Sequence, residues 1–195
     1  MRLRQDKKRI ALEARRKLSH FIVGSILTVL LYFDIIPLHS VALIALVGLG
    51  VSLIHTRWSF LNSILRRVER EDSPLPGWGA ITLVVGIYLS FLLFPLPIAL
   101  LAASALTIVD AVSSSIGVLM EKSGAKSAAA ALIGALTHVA IMSSLFTELR
   151  IMSILIAAGT AGLVEAVFER RGYLDDNLVI PLAVGAVLML VEFLG

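Results

Sequence analysis

The sequence predicts an all-α fold, a polytopic transmembrane helix bundle of about seven spans with a cytoplasmic N-terminus. Three observations lead there. Apolar residues make up 58% of the 195 and the mean hydropathy is +0.93, whereas ordinary soluble domains hold about 45–50% apolar residues. The long apolar stretches lack the polar face that a water-facing helix keeps, and they approach the roughly 20 residues a helix needs to cross hydrocarbon. Lysine and arginine, finally, fall almost wholly on one side of the resulting topology.

The N-terminal "MRLRQDKKRIALEARRKLSH" mixes Asp6 and Glu13 with its bases and leads into a full-length span, so it reads as retained rather than as a cleaved signal. Ile10, Leu12, Ala14 and Leu18 alternate with charges there, which suits a basic amphipathic helix at the membrane surface, and residues 1–19 are set apart as that segment. Residues 20–195 form a single transmembrane bundle. Spans are expected at about 20–37, 39–56, 78–95, 97–120, 127–146, 150–168 and 178–194. "DIIPLHS", "FPLP" and "FTELR" are connections so short that the helices they join are antiparallel neighbours. The one long connection, 57–77, contains "NSILRRVERED", either an interfacial helix anchored by Trp58 and Trp78 or a solvated basic linker.

Orientation follows from the excess of Lys and Arg on the cytoplasmic side. The N-terminal segment carries 8, the 57–77 loop 4, "EKSGAK" 2 and "ERRGYLDD" 2, and only Arg150 of the 17 falls opposite. The basic pI near 9.5 is thereby a matter of topology, and anionic lipid rather than nucleic acid is the expected surface. With no cysteine in the chain, disulfides, thiolate metal sites and cysteine nucleophiles are excluded.

Ionisable residues at membrane depth are costly and mark sites or buried pairs. Asp110, in "LTIVDAVSSSIG", lies roughly ten residues from the cytoplasmic end of its span, about 15 Å deep by helical rise. Glu165 lies about one turn inside the sixth span, where it either joins a site or snorkels to the headgroups. His138 stands near mid-membrane, where an interhelical hydrogen bond is the more common role for a lone histidine. Asp34, His39 and Glu192 are expected at the outer interface. Glu13, Arg16, Lys17 and His20 recur at spacings of three and four, so they share one face at the cytoplasmic entrance of the first span. In "EKSGAKSAAAALIG", Gly124, Lys126 and Ser127 resemble the end of a P-loop, but the glycine spacing and the preceding strand that motif requires are absent. A turn with Lys122, Lys126 and hydroxyls remains, leading into a helix whose first amides suit an anion. In "GYLDDNLVIPLAVG", Asp175, Asp176 and Asn177 stand at the cytoplasmic start of the last span, where one of the three is expected to cap the helix.

Glu13, Lys17, His20, Asp110, Lys122, Lys126, Glu165, Arg170, Asp175, Asp176 and Asn177 thus come from separate segments and converge on the cytoplasmic half. Acids for Mg²⁺, bases for phosphates and a bundle open to lipid are the parts that phosphoryl transfer to a membrane alcohol requires, and equally those of nucleotidyl transfer to a lipid phosphate.

Three of these segments resemble, in order, motifs of the dolichol kinase, phytol kinase and CTP-dependent diacylglycerol kinase family. "EARRKLSHFIVG" is similar to its opening E-x-x-R-K-x-x-H, "IVDAVSSSIG" to its D-A-x-[AS]-x-x-x-G, and "GLVEAV" with "DDNLVIPL" to its closing E and DN-hydrophobic-P signature. The chain departs from the family at Val109, where a small residue is usual, and in "KSGAKSAAAA", where alanines replace the Glu and Gly of K-[ST]-x-E-G-[ST].

The resemblance implies a Mg²⁺-dependent kinase that transfers phosphate from CTP to an isoprenoid or glycerolipid alcohol at the cytoplasmic face. It implies Asp110 and Asp176 as Mg²⁺ ligands, with Asn177 supporting metal or phosphate. Lys17, Lys122, Lys126 and Ser127 would meet the nucleotide phosphates, Glu165 would orient a base or the ribose, and His20 would approach the acceptor hydroxyl. Two other readings stand beside it: a CDP-lipid synthase, and a non-catalytic relative or small transporter. The alanines at 129–131 favour a non-catalytic relative, while a transporter would want polar groups through the outer half, where only His138 and Asp34 offer themselves.

Overall fold

The computed structural model describes residues 2–54, 73–120, 127–168 and 173–194. Among these the chain forms seven helices and no strand: α1 (Arg2–Tyr32), α2 (Leu38–Ile54), α3 (Trp78–Leu93), α4 (Leu96–Met120), α5 (Ala128–Leu145), α6 (Ile151–Val167) and α7 (Asp176–Leu194). Each answers to an expected span. α1 differs at its start, because one unbroken helix runs from Arg2 through the boundary drawn at residue 19, and the basic segment continues directly into the apolar one. The stretch "NSILRRVERED" lies outside the described residues.

Local chemistry sets the helix ends. α1 stops in a Schellman arrangement, with Asp34 in the left-handed region at φ 52°. Ile35 N–H donates to Leu30 O at 2.8 Å and Asp34 N–H to Leu31 O at 3.1 Å, and Pro37 follows where a helix cannot continue. Asp34, expected at an interface, therefore terminates a helix. α3 starts from Gly77, whose φ of 76° suits a residue without Cβ. Pro95 stands between α3 and α4 and Pro97 in the first turn of α4, both tolerated where helical N–H groups have no partner.

Leu96–Gly117 in α4, Ala128–Leu145 in α5 and Asp176–Leu194 in α7 are long and apolar enough to cross a membrane, and Leu38–Ile54, Trp78–Leu93 and Ile151–Val167 are shorter apolar helices. α4 is the axis of the bundle, surrounded by α1, α3, α5, α6 and α7. Its alanines 99, 102, 103 and 105 are fully buried and allow those neighbours to approach. The surface is correspondingly apolar: Leu43, Leu46, Leu132, Leu136, Met152, Leu163 and Leu190 are exposed while Lys17, Asp110, His138, Glu165 and Asp176 are buried. Apolar groups outside and charges inside is the arrangement a hydrocarbon solvent favours.

Three close approaches hold the helices that carry the polar residues. A Cβ at Gly24 of α1 would stand 2.2 Å from Thr107 Cγ2 of α4. One at Gly134 of α5 would stand 2.4 Å from Ser113 Oγ and 2.9 Å from the Val109 carbonyl of α4. One at Gly86 of α3 would stand 2.2 Å from the Asn177 carbonyl of α7. In α7 Pro181 has no N–H to offer the Asn177 carbonyl four residues earlier, so that carbonyl turns from the helix ladder toward α3.

A buried carboxylate cluster between four helices

Asp110 of α4, Glu165 of α6 and Asp176 of α7 each present a carboxylate oxygen, and these oxygens lie within 4.8 Å of one another. All three side chains are buried, at 2%, 5% and 5% exposure. Glu165 therefore turns into the bundle beside the two aspartates; snorkelling, the alternative for a glutamate one turn from a helix end, is not what it does. The helices converge because α4 packs against both α6 and α7, and α6 against α7.

The fourth contributor is α1. Its residues Arg16, Lys17 and His20 are buried, at 6%, 2% and 8% exposure, while Arg15 before them and Leu18 and Ser19 between them are exposed, so the face expected from their spacing is the one turned inward. The Lys17 ammonium forms an ion pair with Asp110 Oδ1. Arg16 pairs with Glu13 one turn earlier. His20 lies within electrostatic reach of Lys17, Asp110, Arg16 and Asp176, and its ring rests near Gly79 of α3, where a Cβ would come 3.3 Å from His20 Cε1.

α7 begins at this cluster. Asp175, fully buried, is the cap: its Oδ1 accepts from Asn177 N–H at 3.1 Å, and its carbonyl accepts from Leu178 and Val179 at 3.0 and 3.1 Å. Asp176 is then the first helical residue, where the positive end of the helix dipole favours a carboxylate. Asn177 is fixed by α3, its Nδ2 donating to Gly79 O at 3.0 Å and to Thr82 Oγ1 at 3.3 Å. These two bonds determine which way the amide points, and among the described residues Asn177 Oδ1 has no hydrogen-bond partner, nor has His20 Nδ1. Trp78 clasps the entry to α7, its Nε1 donating to Tyr173 O at 3.2 Å and its ring meeting that of Tyr173 edge-on at 5.5 Å.

The sequence reading overlooked α3. Gly79, Thr82, Gly86 and Ser90 form a stripe of small residues on one face of that helix, three or four residues apart, and three of the four touch or approach Asn177 or its neighbours. Their spacing was the available signal of a close helix contact.

Other expected residues stand elsewhere. Ser127 caps α5, its hydroxyl accepting from Ala130 N–H at 3.4 Å. Lys122, Lys126 and Arg170 lie outside the described residues. His138 is fully buried between α5 and α4, its Nε2 3.0 Å from Ser104 Oγ. Ser104 Oγ also reaches Leu101 O of its own helix at 3.2 Å, so the one hydroxyl ties the imidazole to α4. This is the interhelical bond expected of a lone membrane histidine.

Chemically, three buried carboxylates whose oxygens lie within a few ångströms, one of them paired with the Lys17 ammonium, could hold a cation with oxygen ligands. Hard divalent ions, Mg²⁺ above all, take such donors, and Mg²⁺ commonly keeps part of its water shell and binds through a few carboxylates together with substrate phosphates. The donor set fits that ion, and a softer metal would look for the imidazole or sulfur ligands that the cluster lacks. Comparison of the chain with protein-family models, curated proteins and solved structures finds no match.

Proposed function

We propose that this chain is a multi-pass membrane enzyme, a Mg²⁺-dependent kinase that phosphorylates a membrane isoprenoid or glycerolipid alcohol from CTP at the cytoplasmic face. The single observation that carries the reading is the convergence of Asp110, Glu165 and Asp176, from three helices, on one buried spot with Lys17 attached. The seven-span topology with a cytoplasmic N-terminus, inferred from the distribution of Lys and Arg, sets this cluster in the inner half of the membrane, where a cytoplasmic nucleotide and a lipid headgroup meet. The sequence resemblance to the polyprenol kinase family supports the same residues.

In this reading Asp110, Glu165 and Asp176 hold Mg²⁺, which supplies charge neutralisation for the triphosphate. Phosphoryl transfer asks the protein mainly to position groups and offset charge, so no covalent nucleophile is required. Lys17 and the lysines 122 and 126 offset phosphate charge, and Asn177, held by Gly79 and Thr82, offers Oδ1 to a ligand donor. His20 stands beside the cluster from the lipid-facing helix α1, placed to meet the acceptor hydroxyl. Burial of Lys17, His20, Asp110, Glu165, Asp176 and Asn177 excludes water, the competing acceptor.

The test uses purified chain, Mg²⁺, a panel of membrane alcohols and lipid phosphates, and CTP labelled at either the γ or the α phosphate. The proposal expects γ label in an alcohol. Label from the α position in a lipid phosphate identifies a CDP-lipid synthase instead, which the same oxygens would serve; absence of label from both positions across the panel leaves the non-catalytic reading.

A further inference from the structure

We infer that Lys17 is the resident counter-ion of Asp110 in the carboxylate cluster, and that a divalent cation enters by displacing its ammonium group from Asp110. The inference rests on the metal reading above and adds an exchange: metal in, lysine out, the released ammonium then free to meet the phosphates that arrive with the metal.

Lysines at the inner mouth of a span ordinarily extend toward the headgroups, because burying an unpaired ammonium is costly. Lys17 does the opposite. It is 2% exposed, and its ammonium sits on Asp110, itself 2% exposed, 93 positions later in the chain. The contact between Gly24 and Thr107 locks α1 to α4 deeper in the bundle, so the pair is set by the helix packing and not by a wandering side chain. The residue type matters as well. An arginine would grip a carboxylate with a rigid two-pronged fork, whereas lysine carries a compact charge on a flexible four-carbon stem and swings away without moving its helix.

The surroundings are prepared for a larger guest. His20 Nδ1 and Asn177 Oδ1, on residues 8% and 2% exposed, have no hydrogen-bond partner among the described residues, although buried polar atoms are nearly always satisfied. Asn177 Oδ1 is a pure acceptor, held in place by the two bonds its amide nitrogen makes, and the natural donor to it is the water of a hydrated cation. An ammonium and a divalent cation compete for the same oxygen, so Lys17 weakens metal binding in the free protein. By linkage, whatever draws Lys17 away strengthens it.

The experiment measures Mn²⁺ alone, by the loss of its free electron-paramagnetic-resonance signal, on the full chain purified in detergent. Compared are the unaltered protein, Lys17→Gln, Lys17→Arg, Asp110→Asn and Asp176→Asn. Expected are binding about tenfold tighter in Lys17→Gln, binding at or below the unaltered level in Lys17→Arg, and much weaker binding in both aspartate variants. Without metal the thermal midpoint of Lys17→Gln should fall, and saturating Mn²⁺ should restore it. Unchanged or weaker binding in Lys17→Gln, with Asp176→Asn still impaired, overturns the exchange while leaving the metal reading intact. Mn²⁺ binding that is indifferent to Asp110 and Asp176 overturns the metal reading and the exchange together.

Discussion

The Asn177 carbonyl of α7 faces Gly86 of α3 at so short a distance that a Cβ on the glycine would stand 2.2 Å from the oxygen. Pro181 has already taken that carbonyl out of the helix ladder, and its Cγ would be 3.2 Å from the same Cβ. Two backbones meet there, and neither has a rotamer to change. Gly86→Ala is therefore expected to push α3 and α7 apart and to cost about 1–3 kcal/mol. Gly185→Ala makes a clash as short on paper, 2.0 Å, but with the far edge of the Phe94 ring, which can turn. Thermal unfolding in detergent should show a clearly larger loss for Gly86→Ala than for Gly185→Ala. Since Asn177 and Asp176 move with α7, the Gly86 variant should also lose turnover.

Asp175 and Asp176 are adjacent acids that share one donor, Asn177 N–H, which lies 3.1 Å from the Oδ1 of each, but only Asp176 joins the carboxylate cluster and, on the proposed kinase reading, serves the metal. Asp175 Oδ1 caps α7 through Asn177 N–H, so Asp175→Ala should lower stability by about 1 kcal/mol. Asp175→Asn retains an oxygen for that cap and should hold most of the stability. Asp176→Asn is close in shape but removes a charge from the cluster, and is expected to keep the fold and lose metal-dependent activity. Thermal midpoints and turnover measured on the three variants should thus separate: stability falls chiefly in the alanine variant, and activity in the Asp176 variant.

The same logic extends around the cluster. On the proposed kinase reading, Asp110→Asn, Glu165→Gln and Asp176→Asn should each reduce lipid phosphorylation by about a hundredfold or more, the scale of losing a principal electrostatic contact in a transfer reaction. The far-ultraviolet circular dichroism of each variant should match that of the unaltered chain. Near-normal rates in all three would remove the cluster from the chemistry. Glu165 is the informative member, because the sequence left it equally open to a headgroup role, for which Glu165→Gln would be nearly silent.

Seven helices were legible from hydropathy and short Pro-rich connections alone, because a helix that is apolar all round has few alternatives. The inward face of α1 was legible too, since Glu13, Arg16, Lys17 and His20 recur at helical spacing, and a stop-transfer cluster would account for the bases but not for the glutamate or the histidine. Asp110 and Asp176 were marked by depth and by their motifs. What could not be read was pairing across helices. Nothing in one dimension says that Lys17 reaches Asp110, 93 residues away, or that Gly79 and Thr82 fix the amide of Asn177. Those contacts follow from which small residues allow which helices to touch, and small residues are too common in apolar segments to assign a partner. Capping was only half legible: one of three polar residues had to cap α7, and the backbone bond to Asp175 decides which.

His138 and Ser104 provide the contrast to the cluster, a buried polar pair that the structure assigns to packing. His138 Nε2 and Ser104 Oγ share a hydrogen bond of 3.0 Å that joins α5 to α4. Removing the hydroxyl alone, in Ser104→Ala, leaves the buried Nε2 without this partner and is expected to cost about 1–3 kcal/mol. Replacing both partners, in Ser104→Ala with His138→Leu, removes the unsatisfied group along with its partner. The double variant should then recover part of the loss, with a coupling of about 1 kcal/mol in a double-mutant cycle read from unfolding in detergent. Lipid phosphorylation by the folded fraction should persist throughout, because the pair bonds to none of Lys17, Asp110, Glu165 or Asp176. A collapse of turnover in His138→Leu without loss of stability would instead draw this histidine into the reaction.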